Sequence, residues 1–172
     1  DVSSLYRDPE RLSRALLRLQ TLFPGSNVAE MCWKEPDVLR VSPRDIAASL
    51  VTLRFALPKS DVEKIVRGQP RLLLGENASA AGAAAVALRR AFPKVDVSAV
   101  ADVEPSLLTP ECDVPGRLRR LERLRSKGKL SPSVAVFTEG GAGARNATLF
   151  AKVFLEETGS GAEAHETGGA WG

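Results

Sequence analysis

Histidine is almost missing from this chain: the single copy, His165, stands in a tail of glycine, alanine and glutamate, far along the sequence from either cysteine. No Ser/His/Asp or Cys/His set can be assembled, and the usual His-containing zinc sets are excluded with it. The two cysteines, Cys32 and Cys112, fall in different segments, which argues against a disulfide framework and for buried thiols. Aromatic residues make up 5% of the chain, and Trp33 is the only tryptophan before Trp171, so base stacking has little to work with. No run approaches the roughly 18 consecutive apolar residues of a membrane-spanning helix. Carboxylate pairs are scarce in useful form: Glu156 and Glu157 are adjacent and diverge on a helix, while Glu35 and Asp37 flank a proline and face solvent. No catalytic residue, cofactor or metal ligand is therefore expected, and the protein is read as a non-enzyme.

What the chain has in quantity is proline at fixed intervals. The stretch Phe23-Pro24-Gly25-Ser26-Asn27-Val28 through Pro36-Asp37-Val38-Leu39 returns from Leu57-Pro58 to Leu73 and again from Phe92-Pro93 to Leu108. Pro24, Pro58 and Pro93 keep step with Pro36, Pro70 and Pro105, at offsets of 34 and then 35 residues. A fixed period of about 20–50 residues is the mark of stacked supersecondary units. The predicted fold is all-α: a right-handed stack, or solenoid, of two-to-three-helix repeats, followed by an irregular C-terminal extension.

One cycle can be derived residue by residue. Leu12, Leu16 and Leu19, then Ile46, Leu50 and Leu53, then Ala81, Ala85 and Leu88 recur in steps of three and four, one face of a helix. The residue before Pro24, Pro58 or Pro93 is pushed out of the α region and ends that helix. Asn27, Asp61 and Asp96 are suited to cap a second helix of about seven residues, which stops before Pro36, Pro70 or Pro105. A proline-led turn then inserts a leucine into the core. Ser42-Pro43-Arg44-Asp45 restarts the cycle, with Ser42 as N-cap and Pro43 at the first helical position. Asp8-Pro9-Glu10 starts the first helix in the same manner, and Asn77 or Ser79 is expected to cap the third long one. The alanine-rich segment 78–91 predicts close helix approach.

Residues 1–130 are read as a helical repeat domain, with units at about 12–41, 42–76 and 77–110 and a degenerate fourth at 113–130. In that fourth unit Leu118, Leu121 and Leu124 form a stripe. The polar face carries Arg117, Arg119, Arg120, Arg123, Arg125, Lys127 and Lys129 against Asp113 and Glu122, net +5 in a chain of net +3. Residues 12–110 hold 13 basic and 10 acidic residues, so basic charge reads as concentrated in one element, and a nucleic-acid groove along the repeats is disfavoured. The basic helix is open to RNA or DNA, to an acidic protein surface or to anionic headgroups. Residues 131–172 are read as an extension. Ser133 to Thr138 reads as extended, Glu139 to Arg145 as a connecting glycine loop without the Lys-Ser/Thr ending of a phosphate cradle, 146–157 as a short helix, and the rest as a flexible tail. Trp171 is its natural anchor on a partner.

The pattern Leu/Phe-Pro-x-x-Asx-Val, an apolar residue three positions on, then Pro-x-apolar-Leu, resembles the repeat of the mitochondrial transcription termination factor (mTERF) family over roughly residues 12–110. The resemblance implies units of two helices and a short tight helix, and an organellar location, plastid ahead of mitochondrion, soluble or peripheral to a membrane. It carries no residue-specific binding code. Two functions follow as expectations. The first is an adaptor or accessory subunit within a multiprotein organellar assembly, such as a plastid photosystem or an organellar ribosome. The second is a nucleic-acid-binding factor of the transcription-termination type.

Overall fold

A computed structural model of the chain describes residues 5–139 and 146–159. Among the described residues the fold is all-helical: nine α-helices, short 3-10 turns and no strand. The helices are α1 (Pro9–Leu22), α2 (Val28–Lys34), α3 (Pro43–Ala56), α4 (Val62–Gly68), α5 (Asn77–Ala91), α6 (Val97–Val103), α7 (Val114–Ser126), α8 (Pro132–Glu139) and α9 (Ala147–Thr158). The 3-10 turns are Pro36–Arg40, Pro70–Leu73, Pro105–Leu108 and Pro110–Cys112.

Three times in succession a long helix, a short helix and a proline turn follow one another, and the same groups close each junction. The N–H groups of Phe23, Leu57 and Phe92 donate to the carbonyls of Leu19, Leu53 and Leu88, ending the long helix just before its proline. The short helices are capped by side chains: Asn27 accepts from the Glu30 N–H, Asp61 from Lys64, and Asp96 from Ser98 and Ala99. Each such oxygen satisfies a donor the helix itself leaves without a partner. Pro36, Pro70 and Pro105 all take the first position of a 3-10 turn, where their missing N–H costs nothing. The leucines behind them, Leu39, Leu73 and Leu108, are buried.

Burial then joins the units. A single apolar cluster runs from Ala15 on α1 to Phe154 on α9. Side chains also tie unit to unit: Arg89 donates to the Ala56 carbonyl at the end of α3, and Ser60 Oγ to the Ser98 carbonyl at 3.1 Å. Arg71 lies between Glu35 (3.7 Å) and Glu111 (3.0 Å), linking the turns that begin at Pro36, Pro70 and Pro110.

The region after residue 110 departs from the sequence expectation. Residues 133–138, expected to be extended, lie within helix α8. Pro132 presets the first helical φ, the Ser131 carbonyl accepts from Val134 and Ala135, and Val134 and Phe137 share a buried face. That i,i+3 pairing outweighs the strand preference of two valines, a phenylalanine and a threonine. Nor does Asn77 or Ser79 cap α5. The helix begins at Asn77 itself, and the Asn77 amide reaches back to the Arg71 carbonyl at 2.8 Å. Helix α9 is capped by Asn146 through the Leu149 N–H. It packs on α6 and α7, as α6 packs on α4 and α5. Phe150 and Phe154 meet Phe92 edge to face at 5.0 and 6.2 Å, and Phe137 meets Phe150 at 5.2 Å. The glycine loop expected at 139–145 lies outside the described residues except for Glu139, at the end of α8.

Candidate interaction surface

Helix α7 carries the basic group singled out from sequence, and its start is unusual. Asp113, the N-cap, adopts φ 45°, the left-handed region that Asp tolerates better than most residues. Its carboxylate accepts from the Gly116 N–H at 3.1 Å. A Cβ on Gly116 would fall 1.9 Å from Asp113 Oδ2, so any other residue at 116 would turn the carboxylate out of this position.

The seven basic residues then divide. Arg117 turns inward: Nε donates to the Cys112 carbonyl at 2.6 Å, and Nη1 to the Leu155 carbonyl at 3.1 Å and to Thr158 Oγ1 at 2.9 Å. Arg120 Nη1 donates to the Gly159 carbonyl at 2.9 Å. Both guanidinium groups therefore sit at the C-terminal end of α9, where unpaired carbonyls and the negative pole of the helix dipole favour a cation. The buried Thr158 hydroxyl completes the junction by donating to the Phe154 carbonyl. Arg119, Arg123, Arg125, Lys127 and Lys129 are exposed. Trp171, the expected anchor, lies outside the described residues.

A second feature was not found by counting charges unit by unit. The four long helices α1, α3, α5 and α7 together carry 12 Arg and three acidic residues, Glu10, Asp45 and Glu122, net +9. The whole chain is net +3, so everything outside these helices amounts to net -6. Averaging each unit mixed the basic long helices with the Asp caps and Glu-bearing turns. The outer faces of the same helices expose large apolar side chains at equivalent places. Leu17, Val51 and Val86 stand at offsets of 34 and 35 and are 61%, 67% and 59% exposed, and Phe55, one turn beyond Val51, is 90% exposed. They point away from the faces that bury Leu19, Leu53 and Leu88. The signal was present in the sequence as apolar residues out of phase with the core stripe. On α7, Val114, Leu118 and Leu121 take the places of Ala81, Ala85 and Leu88, which brings Arg119 to the position of Val86.

The thiols offer no reactive centre. Burial pushes Cys32 above its ordinary range, and burial also raises Cys112 against the opposing pull of Arg117. Among the described residues no group of three or more His, Cys, Asp or Glu is placed to hold a metal ion, and no helix is long and apolar enough to cross a membrane. Compared with protein-family models, curated proteins and solved structures, the chain matches none.

Proposed function

We propose that this chain is a non-catalytic helical-repeat adaptor, an accessory subunit that binds within a larger organellar assembly through protein-protein contacts. In this reading the three proline-closed units form a right-handed solenoid, α7 begins a fourth turn of it, and the long helices make the outer wall. The observation that carries the proposal is the apolar row of Leu17, Val51 and Val86 with Phe55. Three successive units expose a large hydrophobic side chain at one equivalent place, whereas scattered single exposures would need no explanation. The organellar setting, plastid ahead of mitochondrion, rests on the mTERF-like spacing alone.

The test is capture of the full chain from organellar extract and sedimentation of what it retains. Cosedimentation at constant stoichiometry with one large complex supports the adaptor reading, and sedimentation alone in every extract removes it. A second reading, nucleic-acid binding, is favoured by the 12 to 3 charge excess of the long helices. It requires sub-micromolar affinity for RNA or DNA with a steep salt dependence, lost when Arg119, Arg123 and Arg125 are changed together to Ala. Binding that is weak at physiological salt and indifferent to those changes rejects it.

A further inference from the structure

We propose that the outer row takes one kind of partner: an acidic amphipathic α-helix laid across the long helices, with an apolar residue every seventh position. This rests on the adaptor reading and names the chemistry of its partner. Packed helices lie about 8–10 Å apart, and α3 and α5 pack directly on each other, so side chains at equivalent places on these two recur at about that interval. Seven residues of an α-helix rise about 10.5 Å. A heptad-spaced helix crossing α3 and α5 therefore sets one apolar side chain against each of Val51 and Val86, and its next heptad extends toward Leu17 on α1. Phe55, one turn along α3 from Val51, stands beside the middle contact as its largest apolar surface.

Charge selects the partner's polar positions. Arg14, Arg18 and Arg90 are exposed within one turn of the row, as is Arg54, which pairs with Glu63 of α4 at 3.2 Å, and the three helices that bear the row contain only Glu10 and Asp45 as acids. Acidic residues flanking the partner's apolar seam complement this surface, and a second copy of this chain meeting it through the same face would present like charge. The row also has a direction. At the equivalent place on α7 the apolar residue is replaced by Arg119, with Arg123 a turn beyond, both exposed. The end of the partner helix that reaches α7 is accordingly acidic at its seam position, and the helix lies in one orientation. A lipid bilayer would engage exposed Leu, Val and Phe at any spacing, so the equivalence of the three positions favours a helix over a membrane.

The experiment uses the full chain and fluorescein-labelled synthetic 28-residue helical peptides (~42 Å at about 1.5 Å per residue). One peptide carries Leu at every seventh position for three heptads, Glu at the fourth, and flanking Glu. A second has its Leu residues at five-residue intervals, and a third replaces Glu by Lys. Anisotropy titration is expected to show saturable binding of the first peptide, with the other two at least about tenfold weaker. The Val51→Glu/Val86→Glu double variant should lose about tenfold or more for the first peptide. The Arg119→Glu variant should lose the parent's preference for the first peptide over a fourth peptide that carries Leu in place of Glu at the fourth heptad. These positions are exposed, so the circular dichroism spectrum of each variant should match the parent. Equal binding of heptad and five-residue spacing overturns the proposal, as does binding unaffected by the double variant. So does binding only to vesicles of phosphatidylcholine and phosphatidylserine, or only to an RNA oligonucleotide. If an organellar complex is still captured at full stoichiometry by the double variant, this surface is refuted and the adaptor reading stands; if the parent chain captures none, the adaptor reading itself falls.

Discussion

Residues 9–108 and residues 110–159 terminate their helices by different means. In the first region the short helices are closed from nearby in sequence, by an Asn or Asp cap at the start and by a proline turn starting two residues beyond the end, and the carbonyl at the end of α3 also accepts from Arg89, one unit along. In the second, the C-terminal end of α9 is held by Arg117 and Arg120, 38 or more residues earlier in the chain, and its flank by Phe92. Local closure can be repeated at a fixed interval because each copy needs only itself and its neighbour. The two-arginine clamp on α9 comes from outside the repeated pattern, and it fits a position where the repeat stops and the apolar end must be covered.

That contrast can be broken by mutation. Phe150→Ala removes a fully buried ring from the junction of Phe92, Phe137 and Phe154 and is expected to cost about 3–5 kcal/mol. Amide exchange should rise in α9 before α1 to α4, and uniform loss of protection would mean that the two regions unfold as one. Arg117→Ala withdraws donors from the Cys112 and Leu155 carbonyls and the Thr158 hydroxyl, for about 1–2 kcal/mol in denaturant titration. An unchanged midpoint would show that the remote clamp is dispensable. Asp61→Ala deletes a single local cap, worth about 1 kcal/mol, and Asp61→Asn should restore most of it.

The smallest effect is one of pH. The Glu111 carboxylate is held below its ordinary 4.5, first by its own backbone N–H and then, against a slight burial penalty, by Thr109 and the Arg71 charge. A carboxylate with a lowered folded pKa contributes stability above its unfolded pKa, and that contribution disappears as pH falls through the folded value. Exposure to solvent keeps it to about 0.2–0.5 kcal/mol. Glu111→Gln should thus lower Tm slightly at neutral pH and not at all in strong acid. An equal difference at both would assign the effect to packing.

The repeat was legible because its determinants are short-range. Proline before a turn, Asx three residues before a backbone N–H and leucine at steps of three and four act within a dozen residues of chain. The extended reading of 133–138 failed because valine, phenylalanine and threonine favour strands only while no partner is specified. Buried faces for Val134 and Phe137, with Pro132 presetting the first turn, favoured a helix. The basic helix was legible as a charge cluster, but not the division of its arginines, since Arg117 and Arg119 differ only in which side of α7 they occupy. The outer row was written in the sequence at 17, 51 and 86 and passed unread, because an apolar residue off the core stripe acquires meaning only when its equivalents are seen to be exposed together.

The order of residues alone determined an all-helical chain punctuated every 34 or 35 residues, since capping and proline geometry need no distant partner. Tertiary structure decided which cations remain outside and what covers the end of the repeats. Both depend on α9 folding back so that its phenylalanines reach Phe92 and its terminal carbonyls reach Arg117 and Arg120, a contact between segments that no local pattern encodes.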